Sequence, residues 1–229
     1  MRKLQVTFIL IATVFLYNCI GEDIRFDAVP EEIRFLNPVE SMAVSETYQL
    51  KVTYFNNIGE PEEANVIWSS DNTLVASVNT SGLVTGISEG TTTIRAKVIL
   101  NNNQAIENAI NINITTESVT QNTTIKTGTI ATTSSYLLQG TFTLSKIENT
   151  NNLELSIDSN YRASTSLPGL YLYLSNNPNS INGAYEVGAV SVFQGAHTYI
   201  IENIGINDFA YLLYWCKPFS VKVGDGKIN

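Results

Sequence analysis

Apolar residues in this chain recur at every second position, in short runs, and almost nowhere at every third or fourth. In Leu153-Glu154-Leu155-Ser156-Ile157-Asp158 the three apolar side chains fall on one face. Ile94, Ala96 and Val98 do the same in the run that begins Gly90-Thr91-Thr92, with Arg95 and Lys97 opposite. A period of two belongs to the β-strand, whose side chains alternate between faces. Asn, Gly and Ser turns separate the runs, which is the pattern of sandwiches and barrels. The chain is therefore expected to be all-β. Its length of 229 residues leaves room for two small domains, an N-terminal β-sandwich and a second compact sandwich or barrel. A segment rich in Thr, Gln and Asn without alternation, residues 117–127, reads as the linker between units at 24–116 and 128–229.

The first residues are of another kind. Met1-Arg2-Lys3 is a basic start, and an apolar run of about 14 residues follows to Tyr17. That is too short to span a bilayer, which takes roughly 20 residues, but it suits a secretory signal over residues 1–18. Leu16-Tyr17-Asn18-Cys19 resembles a bacterial lipobox, although Tyr17 and Asn18 stand where small residues are usual. The resemblance implies diacylation of Cys19, a short tether over residues 19–23, and an address at the outer membrane of the cell envelope. Two chains anchor firmly where one binds reversibly.

Composition excludes several classes. The net charge is −8, and losing Arg2 and Lys3 with the leader makes it −10. No basic patch offsets that, so nucleic acid is not an expected partner. There is one histidine, so a metal site of several His and Cys ligands cannot be assembled within the chain. No nucleophile elbow surrounds His197, and no Gly-rich phosphate loop is present. The chain is not expected to be an enzyme, to bind metal or to carry a cofactor. Haem or another redox cofactor enters only with the redox alternative below.

In the first unit, Tyr48, Leu50, Val52 and Tyr54 alternate onto one face. Further on stand Trp68-Ser69-Ser70-Asp71, Val75-Ala76-Ser77-Val78, Ser81-Gly82-Leu83-Val84-Thr85-Gly86 and Gly90-Thr91-Thr92-Thr93-Ile94. In this order they resemble the bacterial Ig-like domain of group 2. The resemblance implies an Ig-like sandwich that serves as a spacer or adhesive module on bacterial surfaces. Trp68 reads as a core anchor between the sheets, and Gly82 and Gly90 as turn residues with positive φ.

The second unit holds Gly140-Thr141-Phe142, Leu155-Ser156-Ile157-Asp158, Leu172-Tyr173-Leu174-Ser175, Gly195-Ala196-His197-Thr198-Tyr199 and Tyr214-Trp215-Cys216-Lys217-Pro218-Phe219-Ser220-Val221. Together they resemble the DM13 domain, a compact β domain of envelope proteins that also stands beside haem-binding domains in animals. A redox or electron-transfer role is proposed for that family on its cysteine. The family's Gly-Pro-Asp stretch is replaced here by Leu167-Pro168-Gly169-Leu170-Tyr171, so no role of that Asp carries over. Residues 209–216 form a nearly continuous apolar run, expected to be buried on both faces. Phe219, Val221 and Val223 resume alternation beyond Pro218.

Cys216 has two readings, a buried strand cysteine or a redox-active thiol. A cation beside a thiol activates it, but Lys217, its neighbour on a strand, points to the opposite face. With Cys19 lipidated, Cys216 has no partner for an intramolecular disulfide. His197, Tyr199, Trp215 and Lys217 are the candidate ligand-binding residues, with His197 alternatively held by local hydrogen bonds. Tyr171, Tyr173, Tyr211 and Tyr214 read either as a sugar-binding surface or as packing. Asp158, Asp208 and Asp225 read as turn or strand-end residues without Ca²⁺-loop spacing. The sequence thus supports a lipid-anchored envelope protein with a non-catalytic binding or structural role, its ligand a protein or glycan at the cell surface. The alternative is a redox accessory protein acting through Cys216.

Overall fold

The computed structural model describes residues 27–116, 120–121 and 125–229. The leader, Cys19 and part of the expected linker lie outside them. The described residues are almost entirely β, with one 3₁₀ turn at Lys217–Phe219.

The first unit comprises β1 (Glu32–Phe35), β2 (Val39–Ala43), β3 (Thr47–Gln49), β4 (Val52–Phe55), β5 (Pro61–Glu62), β6 (Ile67–Ser70), β7 (Ala76–Val78), β8 (Leu83–Gly86), β9 (Gly90–Ile99), β10 (Ala105–Thr115) and β11 (Thr120–Gln121). One sheet runs β11-β2-β10-β9-β6, with β2 and β10 parallel. Two three-stranded sheets, β1-β4-β5 and β3-β8-β7, close over it. Ile33, Met42, Leu50, Tyr54, Val84, Ile94, Ala96, Ile112 and Ile114 fill the space between.

The run expected as one strand over residues 48–54 divides at Leu50-Lys51. Its first half pairs with β8 and its second with β1. The Leu50 amide donates to Gly82 O (3.1 Å) and Lys51 O accepts from Leu36 (2.9 Å), so the chain changes sheet there. The inward phase survives, because Leu50 and Tyr54 are both buried. Trp68 is half-buried at the edge of this core, its ring 6.0 Å from Phe35 and edge-on to it. Gly82, at φ 83°, turns the chain beneath the indole; a Cβ there would come within 2.7 Å of Trp68 Cζ2.

The second unit comprises β12 (Lys126–Thr132), β13 (Leu138–Lys146), β14 (Leu153–Ile157), β15 (Arg162–Ala163), β16 (Leu170–Ser175), β17 (Tyr185–Ala189), β18 (His197–Ile201), β19 (Tyr211–Cys216) and β20 (Val221–Lys227). They form one antiparallel sheet in the order β17-β16-β19-β20-β12-β13-β14-β18, with β15 added beside β13. The sheet curls into a nearly closed barrel around a single core, to which Leu144, Leu155, Leu172, Leu212, Tyr214, Cys216 and Val223 contribute.

β19 is buried on both faces. Leu212, Tyr214 and Cys216 enter the barrel core. Leu213 and Trp215 lie on the outer face with Tyr173, against Ile181 and Ala184 of the loop before β17. Alternation does not carry through Pro218 as expected. The 3₁₀ turn and the left-handed Ser220 (φ 51°) reset its phase, leaving Phe219 and Val221 exposed and only Val223 buried.

The two units also meet outside the linker, through polar contacts to main-chain carbonyls. Arg34 Nη1 donates to Asn176 Oδ1 (2.8 Å), Asp208 O (3.1 Å) and Asn207 O (3.2 Å). Its guanidinium lies over the Phe55 ring, 4.4 Å from the centroid. Asn207 Nδ2 donates to Leu36 O (3.0 Å), and Asn177 Nδ2 donates to both Asp27 O (2.5 Å) and Ile58 O (2.9 Å). Asn177 is 1% exposed and Asn207 7%, so these amides are interior to the junction. At Gly59 (φ 76°) a Cβ would stand 2.7 Å from Asn176 O, so the turn fits this dock only as glycine.

Candidate functional site

The sequence-derived candidates separate onto the two faces of β19 and its neighbours. On the inner face Cys216 is 2% exposed and packed in the barrel core. Lys217 turns outward: its Nζ lies 2.7 Å from Glu186 Oε2 and 4.6 Å from the centroid of Tyr171. The ammonium and the sulfur therefore lie on opposite sides of the sheet.

Near Cys216, inside the barrel, is a cluster that sequence reading only partly anticipated. His197 and Tyr199 stand two residues apart on β18 with rings 5.4 Å apart, and Tyr161, from the turn before β15, lies 5.0 Å from His197. Tyr214 comes within 6.1 Å of Tyr161. His197 Nδ1 is 2.9 Å from Gly195 O. A carbonyl only accepts, so Nδ1 carries a proton. The ring's Nε2 is buried without a hydrogen-bond partner, and the hydroxyls of Tyr161 and Tyr214 are buried with no partner beyond each other. Burial pushes the phenols of Tyr161, Tyr199 and Tyr214 above the ordinary tyrosine range.

On the outer face Tyr171, Tyr173 and Trp215 stand together. Tyr173 donates its hydroxyl to Glu186 Oε2 (3.0 Å). The Lys217 ammonium hydrogen-bonded to Glu186 holds that carboxyl below its ordinary range, and Glu186 in return raises Lys217. The four tyrosines read as one cluster are thus divided, with Tyr214 inside, Tyr171 and Tyr173 outside, and Tyr211 half-buried near the charges of Glu32 and Asp225. Two residues of this arrangement, Tyr161 and Glu186, went unread in the sequence. Tyr161 lies in no alternating run, whereas Glu186 stands between Tyr185 and Val187, whose alternation marks it as outward-facing.

Asp158 accepts from Thr141 Oγ1 (2.5 Å), and Asp208 Oδ2 accepts from the Gly205 amide (2.7 Å), both in turns. Asp225 pairs with Lys222 Nζ at 2.5 Å within β20. Among the described residues no three His, Cys, Asp or Glu side chains are grouped to hold a metal, and no helix is long and apolar enough to cross a membrane.

Beside Trp215 a cleft opens where the first unit meets the loop before β17. Asp27, Asn179, Ser180, Asn182, Trp215 and Ser220 line it.

Residues 31–107 match the family model of the bacterial Ig-like domain (group 2), and the first unit is such a domain. No curated protein matches the chain significantly. Among solved structures, a mutant intimin of EHEC O157:H7 is similar at 20% identity over 36% of this chain and 45% of that one, with a TM-score of 0.25. The surface layer protein SbsC, domains 1–6, is similar at 17% identity over 88% of this chain and 25% of that one (TM-score 0.34). SbsC domains 5–6 are similar at 18% identity over 88% and 97% (TM-score 0.33). The chain thus spans less than half the length of the intimin and of the six-domain SbsC fragment.

Proposed function

We propose that this protein is a lipid-anchored envelope lipoprotein with a non-catalytic binding role. In this reading Cys19 carries the lipid, and the Ig-like domain is the mount on which a DM13-like domain is presented to a protein or glycan. The observation that carries the reading is the burial of Cys216. A thiol 2% exposed, with its neighbouring cation turned to the other face, behaves as a small core hydrophobe. The Ig-like match supports an envelope or surface location. The lipobox-like leader supports the anchor.

One labelling experiment tests both cysteines. Protein extracted from membranes is treated with a mass-tagged maleimide, folded and then denatured. The expected result is no tag on the folded chain and one tag after denaturation, with Cys19→Ser moving the protein to the soluble fraction. Two tags after denaturation would overturn lipidation at Cys19. Rapid tagging of the folded chain would put the redox role of Cys216 ahead of the binding role.

A further inference from the structure

Exposed apolar side chains are ordinary one at a time and informative when they gather. At one end of the barrel four of them gather: Phe219 (67% exposed), Leu137 (53%), Val221 (45%) and Tyr136 (39%). Three loops bring them together. The Thr133 amide donates to Val223 O (3.0 Å), and Thr132 Oγ1, 3.2 Å from the same oxygen, donates to Tyr136 O (2.7 Å), which sets the β12–β13 turn beside the start of β20. The Ser164 amide donates to Leu137 O (2.8 Å) and the Lys217 amide to Gly169 O (3.0 Å), so the loop before β16 joins both turns. Pro218 and the left-handed Ser220 (φ 51°) shape the 3₁₀ turn that holds Phe219 outside the core.

The charge of this tip departs from that of the chain. There are 21 Asp and Glu among the 229 residues, yet residues 133–137, 164–169 and 217–221 hold none. Ser and Thr fill most of the remaining positions. Lys217 is the one charged residue of the three loops, and it is paired with Glu186 of β17. An apolar, nearly neutral surface set among hydroxyls matches the boundary between lipid headgroups and acyl chains. Apolar side chains bury there, while Tyr and hydroxyl groups meet the headgroups.

The place of the tip selects the bilayer over a protein as its occupant. Asp27, where the described chain begins, lines the same cleft as Ser220, which stands between Phe219 and Val221. Asp27 is eight residues from Cys19, so a lipid there is tethered within about 28 Å of this cleft. The tether therefore leaves the protein beside the tip, and a protein partner seated on the tip would compete with the membrane for it.

We infer that this end of the barrel is a membrane-contacting tip, with Phe219, Val221, Tyr136 and Leu137 seated in the headgroup boundary of the bilayer that holds the lipid. The inference rests on the anchored role proposed above and adds the face that the protein turns to the membrane. The rest of the barrel surface stays free for a protein or glycan. The test uses the full lipidated chain reconstituted into phosphatidylethanolamine–phosphatidylcholine vesicles with brominated acyl chains. Co-flotation with the vesicles reads the anchor, and tryptophan quenching reads the tip. The parent protein, with Trp68 and Trp215 away from the tip surface, is expected to be quenched little. The emission added by Phe219→Trp or Leu137→Trp is expected to move to shorter wavelength and to lose about half its intensity, as a side chain seated about 5–10 Å into the boundary would. Leu74→Trp, at a position 76% exposed on the Ig-like domain, is expected to remain unquenched. Adding Phe219→Ser and Val221→Ser to Leu137→Trp is expected to remove most of its quenching, which separates insertion from the preference of tryptophan itself for the interface. Unfolding midpoints equal to the parent's confirm that these surface variants fold. Protein that floats with the vesicles but shows no quenching at either tip position overturns the tip and leaves the anchor standing, as does equal quenching at Leu74→Trp. Quenching of Leu137→Trp that survives the two serines also overturns it. Protein that does not float overturns the anchored role and the tip with it.

Discussion

Adding one methyl group at Gly82 would bring its carbon to 2.7 Å from Trp68 Cζ2, on a backbone held at φ 83°. Left-handed strain and overpacking act together there. Gly82→Ala is expected to lower the unfolding free energy by about 2–4 kcal/mol. A urea titration followed by tryptophan emission measures it, and a loss below about 0.5 kcal/mol would show that the indole can move aside. The glycine's turn role was legible in Asn79-Thr80-Ser81-Gly82, and Asn79 Oδ1 indeed accepts from the Ser81 and Leu83 amides (3.0 and 2.9 Å). Its second role, as clearance for Trp68, was not legible, because it depends on a residue fourteen positions earlier in another sheet. The two-sidedness of Tyr214 and Trp215 was legible, since a continuous apolar run implies cover on both faces. What covers the outer face was not, because Ile181 and Ala184 lie in a polar loop without periodicity.

Two strands and one turn carry the buried phenols, and the pH response follows from where they sit. Tyr54 on β4 donates to Glu31 Oε1 at 2.6 Å, and burial followed by that carboxylate pushes it up to about 12. Tyr161 and Tyr214 are raised by burial as well. The folded protein therefore keeps phenol protons that the unfolded chain gives up near pH 10. Stability from these groups is whole below about pH 10 and falls as pH rises toward their folded values. Alkaline unfolding is expected to be cooperative and to release tyrosinate absorbance in the same step. A gradual rise in tyrosinate while the β circular dichroism persists would mean that these hydroxyls reach water in the folded state. Most strands were legible from alternation, as β9 and β14 show. The break at Leu50-Lys51 was hidden, because a strand can change sheets without changing which side chains point inward. The shift beyond Pro218 was hidden by Ser220, a non-glycine residue in a left-handed conformation that sequence pattern gives little reason to expect.

At the scale of the whole molecule, docking rests on Arg34, Asn177 and Asn207 rather than on apolar surface. Arg34 is largely buried and hydrogen-bonded to three oxygens across the junction. Bonds to a charged group contribute roughly 1.5–3 kcal/mol. Arg34→Ala is expected to cost about 2–4 kcal/mol and to uncouple the domains, splitting one thermal transition into two. Small-angle scattering should then give a larger radius of gyration. One unsplit transition with an unchanged radius would mean that other contacts hold the junction. None of this docking was legible in the sequence. Polar side chains bonding to backbone carbonyls leave no hydrophobic pattern, and Asn in a loop is the ordinary signature of a turn.

Asn177 takes hold of the chain at Asp27, before the Ig-like domain has begun its first strand. Asp27 is eight residues from Cys19, and eight extended residues reach about 28 Å at most. A lipid on Cys19 would therefore hold the molecule within that reach of the junction between its two domains, and not by the far end of either one.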